Sequence, residues 1–225
     1  MVLPPQKKKS KEMTMRRLID AVGEIFRTSG YAGLGVNKVA KVAGVSKKLI
    51  YRYFISFDRL VEAYVVETDY WMRFADHMRD LQVPKEMSDL KRQISHVLKN
   101  QFLYFHQDKE MQQLILWELS AKSDLMRSIH HTREAMGQQF LEKTDEYLDQ
   151  QVINFRAIAA LLVGGIYYTI LHTRFNGGMF SDINLATDKG KNDILAAIDL
   201  VIDMAFENAG RNKTLNPYPD TRNSD

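Results

Sequence analysis

The chain has 225 residues, of which 45% are hydrophobic and 26% are charged, and it contains no cysteine. This composition is typical of a globular protein of one large or two small domains. The lack of cysteine excludes disulfide bonds and thiolate metal sites. Five prolines and few segments of alternating polarity favour an all-α fold.

Charge is distributed unevenly along the chain. Residues 1–55 hold twelve lysines and arginines against three acidic residues, a net charge of +9, whereas the other 170 residues carry a net charge of −6. The basic region attracts phosphate groups, and the acidic remainder does not. Residues 1–10 are basic and lack the apolar stretch of a secretory signal. We expect them to be a flexible arm that is either solvated or in contact with DNA.

Residues 30–54 contain the most specific pattern in the chain. Apolar residues recur at helical spacing from Val36 to Ala43, which predicts a helix with one buried face. Gly44 ends this helix, because glycine adopts the left-handed C-terminal conformation at little cost. Ser46 stands where an N-cap is expected, before a second short helix from Lys47 to Tyr53. Two short helices joined by such a turn are typical of a helix-turn-helix that reads DNA.

The second short helix combines apolar anchors with a basic and aromatic surface. The residues predicted to be buried are Leu49, Ile50 and Phe54. The polar and large groups that remain are Lys47, Lys48, Tyr51 and Arg52. The alternative is a small three-helix bundle whose lysines are merely solvated. The basic residues on both sides and the aromatic run that follows favour DNA binding.

Five segments together resemble a known family. They are Gly30-Tyr31, Val39-Ala40, Ala43-Gly44-Val45-Ser46-Lys47, Tyr51-Arg52-Tyr53-Phe54 and Leu60. Over residues 14–65 the chain resembles the N-terminal domain of TetR-family transcriptional regulators. The resemblance implies a three-helix DNA-binding head, a helical body that binds a ligand and forms a dimer, and repression that a small molecule relieves.

The resemblance also implies which residues face DNA. They are predicted to be Asn37, Lys38, Ser46, Lys47, Lys48, Leu49, Tyr51, Arg52 and Tyr53. Tyrosines 51 and 53 are expected to bond phosphates through their hydroxyls. The chain departs from the family pattern at Leu34-Gly35, where Thr or Ser is usual, and at Phe57, where Lys is common. We therefore expect the phosphate contacts at these two places to be weakened.

The predicted organisation places a helical body behind the head. The predicted domains are a basic flexible arm at residues 1–10, a helix-turn-helix domain at 11–55, a helical effector-binding and dimerisation domain at 56–209 and a flexible tail at 210–225. The other predicted helices run from Lys11 to Ser29, Ser56 to about Leu81, Met87 to Phe105, Met111 to Leu119, Asp124 to about Gln150, Phe155 to about Phe175, and Asn192 to Ala209.

The last two predicted helices are apolar over more surface than one subunit readily covers. The uncharged run between Arg156 and Arg174 has 17 residues, short of the roughly 20 of a membrane span. The resemblance implies a homodimer through these helices, and the alternative is a central helix buried in a monomer. A two-fold dimer predicts a roughly palindromic operator. The predicted interface comprises Leu161, Gly164, Gly165, Tyr168, Ile198, Val201, Ile202 and Ala205.

Large apolar residues of the body either form its core or line a cavity for an apolar or amphipathic effector. The predicted pocket comprises Trp71, Phe74, Gln101, Phe102, Phe105, Met111, Leu114, Trp117, Glu118, Tyr168 and His172. Glu118 lies on an apolar helical stripe, and a buried carboxylate needs a partner. That partner is predicted to be Arg127, Arg133 or Arg156, and the alternative is a cationic or hydroxylated ligand.

Two other functions are alternatives to a regulator. An enzyme is not favoured, because the six histidines form no His-x-x-x-His pair and no phosphate-binding loop or nucleophile motif occurs. No cofactor or metal is expected. A non-specific nucleoid-type or membrane-surface protein would also use the basic head, but it would prefer no particular promoter region. The sequence favours a cytoplasmic, ligand-responsive repressor that binds double-stranded DNA and no membrane.

Overall fold

The computed structural model describes residues 5–69, 84–120, 124–148 and 153–215. Within these residues nine α-helices follow one another: α1 (Pro5–Ser29), α2 (Val36–Val42), α3 (Lys48–Phe54), α4 (Phe57–Thr68), α5 (Met87–Gln107), α6 (Lys109–Ser120), α7 (Asp124–Asp145), α8 (Phe155–Phe175) and α9 (Asp188–Leu215). A 3₁₀ turn at Tyr31–Gly33 joins α1 to α2. Strand β1 (Met179–Phe180) pairs antiparallel with β2 (Ile183–Asn184). The predicted all-α fold is confirmed, with this hairpin as the one addition in the part described.

The helices form two compact units. The first comprises residues 1–77 and 108–135, and the second comprises residues 78–107 and 136–225. The helix-turn-helix therefore shares its unit with α4, α6 and the first half of α7. The head alone, predicted at residues 11–55, is only part of this unit.

An apolar core holds the helices of the head together. Helix α1 packs against α2 and α4, and α3 packs against α4. Leu18, Val22 and Phe26 of α1, which share one helical face, are 1% exposed or less. The Nη2 of Arg17 donates to the carbonyl of Gly44 at 3.5 Å. Helix α1 therefore supports both the core and the turn of the motif.

The long helix predicted after Ser56 ends earlier than expected. Ser56 caps its start, as predicted, by accepting a backbone N–H. The helix stops at Thr68, because Asp69 has the extended ψ of 127°. The buried carboxylate of Asp69 accepts from the Nε of Arg133 at 2.6 Å. The helix thus ends beside a long-range ion pair, and neither glycine nor proline stands at its end. The rest of the predicted helix lies outside the described residues.

Two helices extend beyond their predicted limits. Helix α1 begins at Pro5, so the predicted flexible arm is helical from this residue onward. Proline suits the first turn of a helix, because it has no N–H to leave unpaired there. Helix α9 begins at Asp188 and continues to Leu215, into the predicted tail. An acidic residue in the first turn stabilises the helix dipole and explains the earlier start.

In the second unit, α5 packs against both α8 and α9. Burial alone would raise the pKa of Asp199 on α9, but bonds from Ser95 and Lys99 of α5 lower it. The hairpin joins the two apolar helices, because β1 contacts α8 and β2 contacts α9. This approach requires glycine at position 190, since a Cβ on Gly190 would lie 2.1 Å from the carbonyl oxygen of Asn184.

Candidate functional site

The turn between α2 and α3 has the geometry that the sequence predicts. Gly44 has a φ of 63°, in the left-handed region that favours glycine. The N–H of Val45 donates to the carbonyl of Ala40 at 3.0 Å. The hydroxyl of Ser46 accepts the N–H of Lys48 at 3.4 Å, so it caps the start of α3. These bonds fix the direction in which α3 leaves the turn.

Helix α3 turns its apolar side to the core and its polar side to solvent. Ile50 and Phe54 are buried at 0% and 7% exposure, whereas Tyr51 is 52% exposed. Leu49, predicted both as an anchor and as a DNA contact, is half-buried. All nine residues predicted to face DNA are exposed or half-buried: Asn37, Lys38, Ser46, Lys47, Lys48, Leu49, Tyr51, Arg52 and Tyr53.

The cations of the motif are not neutralised by nearby acids. In the part of the chain that the structure describes, Lys47, Lys48 and Arg52 form no ion pair. Arg16 on α1 is different, because Asp20 and Glu67 each accept from it within 2.7 Å. The hydrogen bonds to these two carboxylates raise the pKa of Arg16 above its ordinary value. Uncompensated positive charge is therefore present at the start and at the end of α3.

Tyr53 marks the far end of this basic surface. The Nζ of Lys11 lies 5.8 Å from the centre of its ring, and the Cζ of Arg52 lies 5.9 Å from it. Both distances are within the range of a cation–π interaction. The start of α1 and the end of α3 therefore meet at one aromatic ring with two positive charges beside it.

The two departures from the family pattern are visible in the structure. Gly35 precedes α2 without any side-chain cap, because glycine has no acceptor to offer. Phe57 opens α4 and is half-buried. Neither position presents a polar side chain, so phosphate contacts must come from other residues of the head.

One polar cluster in the first unit was not predicted from the sequence. The guanidinium of Arg27 on α1 donates to the carboxylate of Glu110 on α6 at 2.6 Å. The hydroxyl of Tyr64 on α4 donates to the same carboxylate at 2.7 Å. Burial, together with this carboxylate, raises the pKa of Tyr64 well above its usual range. These residues lie 83 and 46 positions from Glu110 along the chain. No local pattern can predict pairing over such separations.

Glu118, the carboxylate predicted to need a partner, is paired. Arg133 bonds both Glu118 and Asp69, and the side chains of these three groups are 19% exposed or less. His130 Nδ1 lies 3.3 Å from the other oxygen of Glu118. Of the three arginines predicted as candidates, Arg133 supplies the ion pair. The geometry thus corresponds to the structural alternative, with the carboxylate engaged inside the protein.

The predicted pocket residues divide between the two units. The first unit holds four of them, on α6: Met111, Leu114, Trp117 and Glu118. The second unit holds five, on α5 and α8: Gln101, Phe102, Phe105, Tyr168 and His172. Trp71 and Phe74 lie outside the described residues. The ring of Trp117 stacks on Tyr31 with a centroid distance of 3.8 Å, so Trp117 packs against the head.

Gln101 is the pocket candidate with the most unusual environment. It is 1% exposed, and among the described residues neither its Oε1 nor its Nε2 has a hydrogen-bond partner. One turn further along α5, Phe105 contacts Tyr167 of α8 with a centroid distance of 4.6 Å. A buried amide without partners costs about 1–3 kcal/mol. Because buried polar groups in native proteins are nearly always hydrogen-bonded, this amide is an exception to that rule.

One face of α8 is apolar and exposed. Leu161 and Tyr168 are 78% and 57% exposed, and Gly164 and Gly165 between them are exposed as well. The most apolar stretch of α8 is 28% buried, and by length and composition alone the helix could cross a membrane. An apolar helix requires cover on each of its apolar sides.

The predicted interface residues of α9 lie on two different faces. Three of them are at most 4% exposed within their own unit: Ile198, Ile202 and Ala205. Val201 is 37% exposed, and beside it Leu200 and Met204 are 59% and 54% exposed. Leu200 and Met204 were missing from the sequence prediction. Their spacing of four residues is the signal that could have identified this second apolar face.

An exposed basic and aromatic α3 that follows α2 through a tight turn defines a helix-turn-helix protein. Residues 14–64 match the family model described as bacterial regulatory proteins, tetR family. The similarity to this family therefore covers residues 14–64, less than a quarter of the chain.

Curated relatives match the same part of the chain. Two proteins of Mycobacterium tuberculosis, named as uncharacterised HTH-type transcriptional regulators, are each 41% identical over 54 residues. The match covers 24% of this chain and 27% of each relative. The chain thus matches about a quarter of the length of these relatives.

Solved structures resemble the chain over most of its length. FadR of Bacillus subtilis, in complex with stearoyl-CoA, has a TM-score of 0.56 at 19% identity, covering 86% of this chain and 98% of that chain. NalD of Pseudomonas aeruginosa, the secondary repressor of the MexAB-OprM multidrug efflux pump, has a TM-score of 0.57 at 17% identity. The match covers 84% of this chain and 95% of that chain. At these identities the likeness shows the fold.

Proposed function

We propose that the protein is a sequence-specific DNA-binding transcriptional regulator. It acts as a homodimer on a palindromic operator, and its helical body binds a small apolar or amphipathic effector that releases the DNA. The observation that carries the proposal is the surface of α3, where Lys47, Lys48 and Arg52 form no ion pair in the described part of the chain. Duplex DNA supplies both the anionic phosphates and the groove that such a short helix fits.

The residues of α3 divide by role in this proposal. Lys47 and Lys48 stand at the start of the helix, the part that reaches base edges in helix-turn-helix proteins. The exposed hydroxyl of Tyr51 and the guanidinium of Arg52 are placed one turn later, where they contact phosphates. Phosphate contacts position the helix, and base contacts confer sequence preference.

A homodimer accounts for the exposed apolar surfaces of α8 and α9. Leu161 and Tyr168 on α8, with Leu200 and Met204 on α9, are each more than half exposed in one chain. Four helices, two from each subunit, would cover these faces, and a two-fold axis would place two copies of α3 on one side. Two recognition helices one DNA turn apart read an inverted repeat. This assigns the apolar α8 to a subunit interface and not to a membrane.

An effector site in the body is supported by the buried amide of Gln101 and by the ligand of one solved structure of the same fold. The body holds a buried amide without partners among the described residues, on a helix whose other buried side chains are apolar, Phe102 and Phe105 among them. FadR, of the same fold, was solved with stearoyl-CoA. We therefore propose an elongated apolar effector with a group that hydrogen-bonds to Gln101. Repression follows if effector binding changes the spacing of the two α3 helices.

The double variant Lys47→Gln/Tyr51→Phe tests the role of α3. The probe is a duplex enriched by the wild-type protein from a random-sequence pool, with binding measured by fluorescence anisotropy at about 0.15 M salt. We expect Kd to rise at least tenfold, because each base or charged phosphate contact contributes about 1–3 kcal/mol. The matched control is Lys109→Gln/Tyr31→Phe, which removes the same charge and hydroxyl away from α3 and should leave Kd unchanged. Equal Kd values for wild type and the α3 variant would refute the proposal.

A further inference from the structure

Ile55, which lies between helices α3 and α4, has a backbone conformation that is unusual for its residue type. Its φ of 71° and ψ of −47° lie outside the regions that a β-branched residue normally adopts. They are close to the classic γ-turn, which is rare and strained. Ile55 is also, at 84%, the most exposed large apolar residue in the part of the chain that the structure describes. Its backbone and its side chain therefore both disfavour isoleucine within the subunit.

The helices on either side hold Ile55 in this conformation. The N–H of Ile55 donates to the carbonyl of Tyr51 at 3.1 Å, at the end of α3. The next residue, Ser56, already caps α4 by accepting the N–H of Arg59. Phe54, which is 7% exposed, anchors the end of α3 in the core. Because a single residue links two anchored helices, the surrounding structure maintains the strain, and a residue without a Cβ would make this link at lower cost.

The neighbours of Ile55 belong to the surface through which α3 is proposed to bind DNA. Tyr51, one turn earlier, is 52% exposed, and Arg52 is exposed as well. The phosphates assigned to these two side chains alternate along each DNA strand with deoxyribose rings, whose carbon-bound hydrogens present an apolar surface. An apolar side chain directly beyond two phosphate contacts is suited to a sugar and not to a charged group.

We propose that Ile55 is a DNA contact that packs against a deoxyribose of the operator backbone. The inference rests on the proposed function of α3, and it adds an apolar contact to the ionic and hydrogen-bonding ones. Burial of the side chain against DNA removes apolar surface from water, which offsets the strain in the backbone of Ile55. Sugar contacts position a protein on the duplex and carry no direct sequence information. Ile55 therefore contributes affinity that does not depend on counterion release.

Two variants of similar shape, Ile55→Leu and Ile55→Asn, separate the apolar contact from the backbone strain. Neither new residue is β-branched, so both variants should raise the Tm of the DNA-free protein by about 2–4 °C. Leucine keeps an apolar side chain, so Kd for the enriched duplex should stay at the wild-type value. Asparagine replaces it with an amide of similar shape, so Kd should rise about tenfold, because the contact is lost in both subunits of a dimer.

Binding is measured by fluorescence anisotropy with the enriched duplex, at salt concentrations from about 0.05 to 0.3 M. We expect the slope of log K against log salt concentration to be equal for the wild type and both variants, because no ionic contact is removed. The matched control is Leu119→Asn, at a leucine that is 75% exposed on α6. It removes apolar surface away from α3 and should leave Kd unchanged.

Three results would overturn the contact while leaving the proposed function intact. A wild-type Kd for Ile55→Asn would show that DNA does not touch this side chain. An equal rise of Kd in Ile55→Leu and Ile55→Asn would show that the β-branched shape, and not apolar surface, determines binding. A Tm at or below the wild-type value in both variants would show that isoleucine stabilises the link between the helices. Failure of the wild-type protein to enrich any duplex would instead refute the proposed function itself.

Discussion

Gln101 is a buried polar side chain without a hydrogen-bond partner among the described residues. Evolution commonly retains such a group because a ligand uses it, since replacement by an apolar residue would stabilise the empty protein. Glu118 shows the opposite condition, because Arg133 and His130 both lie against it. Of these two groups, the one without a partner among the described residues is therefore the amide and not the carboxylate that the sequence singled out.

The variant Gln101→Leu separates a ligand-binding role from a structural one. Leucine removes the unpaired amide at similar volume, so we expect the free energy of unfolding of the effector-free protein to rise by about 1–3 kcal/mol. Urea denaturation followed by circular dichroism measures this change. The matched control is Gln112→Leu. Gln112 is 2% exposed and takes part in an interaction, so its replacement should not raise the free energy of unfolding. A loss of stability in Gln101→Leu would show that the amide is a structural group.

At the scale of elements, α8 and α9 each have residues buried within their own subunit and an exposed apolar face that we propose contacts a second copy. On α9, residues 198 and 202 face α5, while residues 200 and 204 lie on the other side of the helix. On α8, Leu161 and Tyr168 are seven residues apart, which places them on one stripe with the two glycines between them. Small residues in such a stripe let a partner helix approach closely.

The variant Leu200→Asp tests this division. The side chain is exposed in one chain, so the substitution should leave the fold of the subunit intact, but a dimer interface would bury the new charge without a partner. We expect sedimentation to change from dimer to monomer at micromolar concentration, with unchanged helicity. Leu119→Asp, at a leucine that is 75% exposed on α6, is the control and should remain dimeric. A dimer that persists in Leu200→Asp would place the subunit contact elsewhere.

At the scale of the whole molecule, the local rules of the sequence were sufficient for the head but not for the body. The turn at Gly44, the cap at Ser46 and the limits of Phe155–Phe175 follow from neighbouring residues, and the structure has them as predicted. The end of α4 did not follow, because it accompanies an ion pair between Asp69 and Arg133, 64 residues away. Contacts of that kind depend on tertiary packing, which no window along the chain contains.

Which face of α9 is exposed could not be predicted from the sequence, for a related reason. Helix α9 is apolar on two faces, and the sequence pattern does not say which face its own subunit covers. Packing against α5 decides this and buries Ile198 and Ile202. The nine residues predicted to face DNA, by contrast, lie on or beside two short helices that each have one apolar face, and the spacing of the apolar residues is consistent with their exposure.

The most direct measurement of the central claim is a competition between two duplexes for the wild-type protein. One is the duplex enriched from a random pool, and the other is the same duplex with its sequence scrambled. At about 0.15 M salt we predict an inverted repeat in the enriched sequence, two chains bound per duplex, and a preference of about 10³-fold or more over the scrambled competitor. Equal affinity for both duplexes would contradict the account, because it would show a basic head that binds phosphate without reading sequence.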